Sequence, residues 1–310
     1  MINIEMDATI LSSLMGCGRY VDLRFNKNWQ KEKGNAFEVG SLAHAFLEYY
    51  YQALIDGKSK SDAMDNGMTA AMLYVKGCPV CISLPIDFIG IPPCGHKNGD
   101  WIGLKNTPAD NTKEGKKELI GWKYVLNTCT QYLARWQSDS WTVLHSEHTK
   151  GDIIYQDDTL RILWKAKFDL IVDTNAGMMS VDHKTMKQRR ESISLSNQFI
   201  GQCTLLKASN MIVNKIGFQS SLKPEEKFER AVISYSADRL KEWRETIVPY
   251  WAYKLVEYNK TGYWPANFTH CETKFGYCDF KEHCENNPNM RDKILELNFY
   301  KGKPWDISND

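Results

Sequence analysis

The sequence predicts an α/β (α+β) protein, a central sheet flanked by helices, on three observations. Two short apolar runs, Phe168 to Val172 and Met178 to Val181, flank Asp173-Thr-Asn-Ala-Gly177, which carries Asp, Asn and Gly where a tight turn needs them; the pattern is that of a β-hairpin. From Lys113 to Gln137, Leu119, Trp122, Val125, Leu126, Cys129, Tyr132, Leu133 and Trp136 recur at helical spacing and form one broad apolar face. Met211 to Gln219 and Phe228 to Tyr235 read as further strands, separated by a charged Lys-Pro-Glu-Glu-Lys turn.

The totals narrow the function classes. A chain of 310 residues can bury a large core. Its 39 basic and 38 acidic residues leave a net charge of +1, so no overall basic field marks a nucleic-acid binder, and any basic surface must be local. Ten Trp, fifteen Tyr and twelve Phe supply core and some stacking surface. The chain has no long apolar run and no signal-peptide profile, which predicts a soluble, cytoplasmic protein with no membrane partner. In such a reducing compartment, clustered members of the nine cysteines read as metal ligands and the rest as buried thiols.

Taken in order, the chain opens with a short helix capped near Asp7 or Thr9, broken at Gly16-Cys17-Gly18. Cys17 by itself reads as a small buried side chain. Ser41 caps a helix running through Leu54, which places His44 in its first turns, and a second helix covers Ser61 to Tyr74. Cys78 and Cys81 in a Cys-x-x-Cys turn, then Cys94 and His96 within a Pro/Gly-rich segment ending at Pro108, have the ligand types of a tetrahedral zinc site; a plain loop is the alternative. Trp141 to His148 is a strand carrying Glu147, Ser194 to Ala208 a helix with Gln198 in its first turns, and Leu240 to Tyr258 a further amphipathic helix.

Chemistry concentrates in two places. Asp169 lies near the start of one hairpin strand and Asp182 at the end of the next, so pairing can bring both carboxylates to one end of the sheet. Lys184, two residues past Asp182, faces the same way. Such a pair can bind Mg²⁺ or Mn²⁺ through oxygen, with Lys184 orienting water or stabilising charge, although a solvated hairpin carries the same residues. Lys187, Arg189 and Arg190 continue a basic run that is either solvated surface or a hold on a phosphate backbone. The second place is His270-Cys271 through His283-Cys284, with Cys278 between, where three sulfurs want a fourth ligand. Zinc completed by His270 or His283 is one solution, and the residues alone leave the choice open.

Phe168-Asp169 followed by Val181-Asp182-His183-Lys184 resembles the core of the PD-(D/E)XK nuclease superfamily, in particular its RecB-like branch. Gly40-x-x-x-His44 is similar to that branch's first motif, and Gln198 to its Gln on the helix after the Lys; Gln202 departs from the Tyr usual four residues on. The resemblance implies a restriction-endonuclease-like mixed sheet. It also implies Mg²⁺ or Mn²⁺ bound by His44, Asp169, Asp182 and the His183 carbonyl, with Lys184 and Gln198 positioning water and phosphate, Glu147 as an accessory, and Lys187, Arg189 and Arg190 near the nucleic-acid backbone. Trp264-Pro265, then Cys271, Cys278 and Cys284, with Cys17 in Cys-Gly-Arg-Tyr, is similar to the AddB-type and CRISPR-associated members, which implies a [4Fe-4S] cluster stapling the two ends of the chain. The implied organisation is an N-terminal segment 1–36 with one cluster ligand, a nuclease core 37–260 with a zinc-binding insertion at 77–108, and a cluster segment 261–310. The implied activity is a metal-dependent DNA exonuclease of phage or mobile-element recombination or end processing. It would act on single-stranded DNA or DNA with free ends, beside a recombination or helicase partner. The rival is a non-catalytic Fe–S protein that binds nucleic acid or a nuclease partner on the same fold.

Overall fold

The computed structural model describes residues 1–31, 35–76, 122–186, 194–219, 222–273 and 276–309. The zinc expectation on Cys78, Cys81, Cys94 and His96, the basic residues Lys187, Arg189 and Arg190, and the start of the helix expected from Lys113 lie outside these residues.

The chain begins with β1 (Ile2–Met6), α1 (Ala8–Gly16), α2 (Gly18–Val21) and the short β2 (Trp29–Gln30). Asp7 caps α1, its Oδ1 accepting from the N–H groups of Thr9 and Ile10. Three helices follow, α3 (Asn35–Ile55), α4 (Lys60–Lys76) and α5 (Trp122–Arg135), then β3 (Thr142–Gln156), β4 (Leu160–Thr174) and β5 (Gly177–Met186). The expected hairpin is β4 and β5, pairing Thr174 with Gly177, whose φ of +96° suits only glycine readily. Next come α6 (Asn197–Leu206), β6 (Asn210–Gly217), β7 (Phe228–Ser234), α7 (Ala237–Glu242), a π-helical turn Trp243–Ile247 and α8 (Val248–Thr261). The C-terminal segment holds β8 (Glu272–Thr273), β9 (Gly276–Tyr277), α9 (Lys281–Glu285), α10 (Arg291–Asn298) and β10 (Tyr300–Lys301).

The fold is mixed α/β: a central sheet ordered β1-β4-β5-β6-β7, with β3 also on β4, and helices on both faces. β1 runs parallel to β4 and β5 parallel to β6, while the β3/β4, β4/β5 and β6/β7 pairs are antiparallel. The parallel β5/β6 pair needs a crossover, and α6 lies in it. On one face α3, α4 and α5 bury Leu42, Phe46, Tyr50, Ala63, Val125 and Cys129 against Leu170, Val172, Val181 and Ile212. On the other, Leu11, Leu14, Phe199, Ile200 and Val248 cover Ile162, Trp164, Phe168, Met211 and Val213. A small third cluster, Leu23, Phe280, Leu295 and Phe299, joins the two ends of the chain, as does the β2/β10 pairing.

Two expectations change. Ser41 does not cap a helix: α3 starts six residues earlier, at Asn35, so His44 sits in mid-helix. The expected capping signal was local, whereas the packing of Leu42, Ala43 and Phe46 in the core supports a longer helix. The opening strand β1 was missed; its Ile2-x-Ile4-x-Met6 alternation is the signal. Among the described residues no helix is long and apolar enough to cross a membrane.

Candidate active site

The site lies where β3, β4 and β5 meet the middle of α3. On β4, Leu160, Ile162, Trp164, Ala166 and Phe168 pack into one core, whereas Leu170 and Val172 pack into the other. Strict alternation would keep all of these even-numbered residues on one face. The strand therefore turns over at Asp169. Across the antiparallel pair, Ser146 faces Leu170 and His148 faces Phe168, which sets Glu147 opposite Asp169. Glu147 has φ +45°, a left-handed conformation that costs a non-glycine residue of order 1 kcal/mol or more. The local kink aims both carboxylates at α3, where His44 stands.

His44 Nδ1 lies 3.5 Å from Glu147 Oε1 and 3.8 Å from Asp169 Oδ1. One ligand atom each from His44, Glu147 and Asp169 falls within 4.8 Å of the others. Lys167 Nζ is 3.0 Å from the second Glu147 oxygen. The His183 peptide completes this side: its N–H donates to Asp169 Oδ2 at 2.6 Å, and its carbonyl oxygen lies 3.1 Å from His44 Nε2.

Asp182 and Lys184 leave β5 on the side of α6. Gln198 Nε2 donates to Asp182 Oδ1 at 2.8 Å, and Lys184 Nζ donates to the same oxygen at 3.3 Å and to Gln198 Oε1 at 3.0 Å. Lys184 Nζ also reaches 3.0 Å from Asp182 Oδ2, an ion-pair distance. That oxygen is buried and makes no hydrogen bond besides this ion pair. The structure thus sets His44, Glu147 and Asp169 on one side of the His183 peptide and Asp182, Lys184 and Gln198 on the other. Glu147, expected as an accessory, stands with His44 and Asp169 in a group that could hold a metal ion. Gln202 is fully buried and donates to the Lys167 carbonyl at 2.9 Å.

The electrostatics follow from this placement. Burial opposes charge on His44, but the carboxylates of Asp169 and Glu147 outweigh it and raise the imidazole to about 9. Burial would push the Asp169 carboxyl up, yet the imidazoles of His44 and His183 prevail and hold it below the ordinary range. Burial raises Asp182, against the opposing pull of Lys184 and with the help of the Asp169 charge. Glu147, Asp169 and Asp182 thus face three cations, Lys167, Lys184 and the protonated His44, and a divalent ion would take the place of the His44 proton.

The residues around the His183 ring carried no signal in the sequence. Its Nε2 lies 3.1 Å from the Tyr132 hydroxyl, and its ring stacks on Tyr51 with centroids 5.8 Å apart. The contact joins α3, α5 and β5, and only the fold brings those segments together.

The second cluster is at the chain ends. Cys17, at the break between α1 and α2, lines one cavity with Cys271, Cys278 and Cys284. The Asn267 N–H donates to Cys17 Sγ at 3.3 Å, and Arg19 Nη1 to Cys284 Sγ at 3.9 Å. Burial raises the Cys278 thiol to about 11. No three of the four sulfurs lie within 4.8 Å of one another.

No family model matches the chain, and no curated protein matches it. Among solved structures it is similar to a presumed exonuclease from Eubacterium rectale, at 14% identity and a TM-score of 0.45, over 91% of this chain and 89% of that one. It is also similar to the alkaline exonuclease LHK-Exo of Laribacter hongkongensis, at 13% identity and a TM-score of 0.30, over 43% of this chain and 69% of that one. The complex of LHK-Exo with dAMP gives 14% identity and a TM-score of 0.31, over 43% and 68%. At these scores the likeness by itself assigns neither a family nor an activity, and the side-chain geometry carries the functional reading.

Proposed function

We propose that this protein is a divalent-metal-dependent nuclease that hydrolyses phosphodiester bonds of DNA from free ends, in recombination or end processing. The observation that carries the reading is the pairing of a ligand trio, His44, Glu147 and Asp169, with a Lys184–Asp182–Gln198 group across one peptide, His183. Two carboxylates and a main-chain carbonyl suit Mg²⁺ or Mn²⁺, and the added imidazole favours Mn²⁺. His44, Glu147, Asp169 and the His183 carbonyl would hold the ion, with Asp182 available as a further carboxylate beside them. A bound ion supplies Lewis acidity to a phosphoryl oxygen and lowers the pKa of water.

The chain's own groups do the rest. Lys184 presents an ammonium where charge grows on the phosphoryl oxygens, and Gln198 and Asp182 fix its direction. The His183 N–H keeps Asp169 turned toward the ion rather than toward solvent. The cavity lined by Cys17, Cys271, Cys278 and Cys284 is read as the seat of a [4Fe-4S] cluster that ties the two chain ends together.

The test is anaerobic purification, counts of iron and zinc, and digestion of end-labelled linear and closed circular DNA with Mn²⁺ or Mg²⁺. Expected are about four irons per chain, loss of linear DNA with Mn²⁺, and no loss with EDTA. A clean protein that cuts neither substrate but retains DNA would support the non-catalytic binding role instead. Zinc without iron would overturn the cluster.

A further inference from the structure

We propose that Tyr132 is a positioning residue of this site: its hydroxyl orients the buried His183 ring, and through it the His183 peptide that faces Asp169 and His44. The proposal rests on the metal-site reading above.

His183 is 2% exposed and carries unusual responsibility for a main-chain unit. Its N–H holds Asp169 at 2.6 Å and its carbonyl faces His44 at 3.1 Å. A small rotation of this peptide would displace both groups at once. The side chain resists that rotation. Nε2 meets the Tyr132 hydroxyl at 3.1 Å, Nδ1 lies 3.6 Å from Asp169 Oδ2, and the ring lies flat on Tyr51 and edge-on to Tyr132.

The direction of these contacts follows from what each group can do. In the neutral ring, the tautomer with its proton on Nδ1 turns that proton toward the Asp169 carboxylate, 3.6 Å away, and leaves Nε2 to accept from the Tyr132 hydroxyl. The positive charge of Arg230 lies near the Tyr132 hydroxyl.

Arg230 is itself tightly held. It grips Asp139 with Nη1 at 2.7 Å and Nη2 at 2.9 Å, donates from Nε to Asn214 at 2.7 Å, and lies over the rings of Trp136 and Trp141 at 3.9 and 4.4 Å. The contacts thus lead from Arg230 on β7 past Tyr132 on α5 and His183 on β5 to Asp169 on β4. Outer partners of this kind commonly change metal affinity about 10- to 100-fold when removed.

The experiment is Mn²⁺ titration without DNA, read by electron paramagnetic resonance, on wild type, Tyr132→Phe, His183→Phe and the double variant, with thermal melts of each. Phe keeps the Tyr132 ring, so the melt should move little while Mn²⁺ binds about 10- to 100-fold more weakly. In the His183→Phe background the second change should have no further effect on affinity. Nitrogen-15 histidine spectra of the metal-free protein add a readout independent of binding: the His183 proton should sit on Nδ1 in wild type and lose that preference in Tyr132→Phe. A wild type that binds no Mn²⁺ overturns the metal site itself and this role with it. A wild type that binds, beside a Tyr132→Phe protein of equal affinity or unchanged His183 tautomer, overturns the role of Tyr132 alone.

Discussion

Gln198 donates to Asp182 over 2.8 Å, and its carbonyl oxygen accepts from Lys184 at 3.0 Å. A single amide from α6 thus sets the direction of a carboxylate and an ammonium together. Lys184→Ala should lower kcat about 10²- to 10³-fold with little change in KM, because the ammonium acts on charge that appears in the transition state. Gln198→Ala leaves the ammonium present but less constrained and should cost about tenfold. Steady-state digestion of labelled linear DNA measures both. A Lys184→Ala protein as active as wild type would refute the mechanism.

The pH dependence follows from His44. Its folded value, about 9, lies above the ordinary 6.5, so in the metal-free protein its ion pairs stabilise the fold fully below pH 6.5. That contribution falls away as pH rises through 9. Metal must displace the same proton, so Mn²⁺ affinity should climb between pH 6.5 and 9 and level off above. Calorimetry in buffers of different ionisation heat should record proton release on binding near pH 7.5. An affinity flat across that range would contradict the protonated imidazole.

Asn197 ties α6 to its surroundings. It accepts from the Trp243 indole at 3.0 Å and donates to Ser12 at 3.1 Å. Asn197→Ala leaves the Trp243 N–H, on a fully buried side chain, without its partner and should cost about 1–3 kcal/mol in urea unfolding. Since Gln198 is the next residue, activity should fall several-fold under conditions where the variant is fully folded. Unchanged stability would show that water or another group replaces the contact.

Gly201 marks the closest approach of α6 to β4. A Cβ there would meet Trp164 Nε1 at 2.5 Å, and Trp164 is fully buried. Gly201→Ala gains up to about 1 kcal/mol of helix propensity but forces a large ring to move in a packed core, at a cost of about 1–3 kcal/mol. Denaturant midpoints should therefore fall. A stabilised variant would mean that α6 can lift off the sheet.

The hairpin, the helix through Val125 to Trp136, and the helix bearing Gln198 were legible because each is a short-range pattern: an apolar period, a turn residue, a cap. His44, Asp169, Asp182, Lys184 and Gln198 were legible as residue types in order along the chain. Glu147 comes beside His44 and Asp169 through a reversal of strand face at Asp169, and no alternation in the sequence announces a kink. Tyr132 looked like one more apolar position on its helix; only packing against β5 gives its hydroxyl a partner.

By itself, then, the sequence determined the mixed α/β class, the hairpin at the centre and the kinds of group available for chemistry, since these depend on neighbours a few residues apart. Tertiary structure decided which groups meet: that Glu147 joins His44 and Asp169, that the His183 peptide stands between the two halves of the site, and that Cys17 reaches the C-terminal cysteines. Those contacts span up to 267 residues of chain. They form because two cores on opposite faces of one sheet fix where each strand and helix must end.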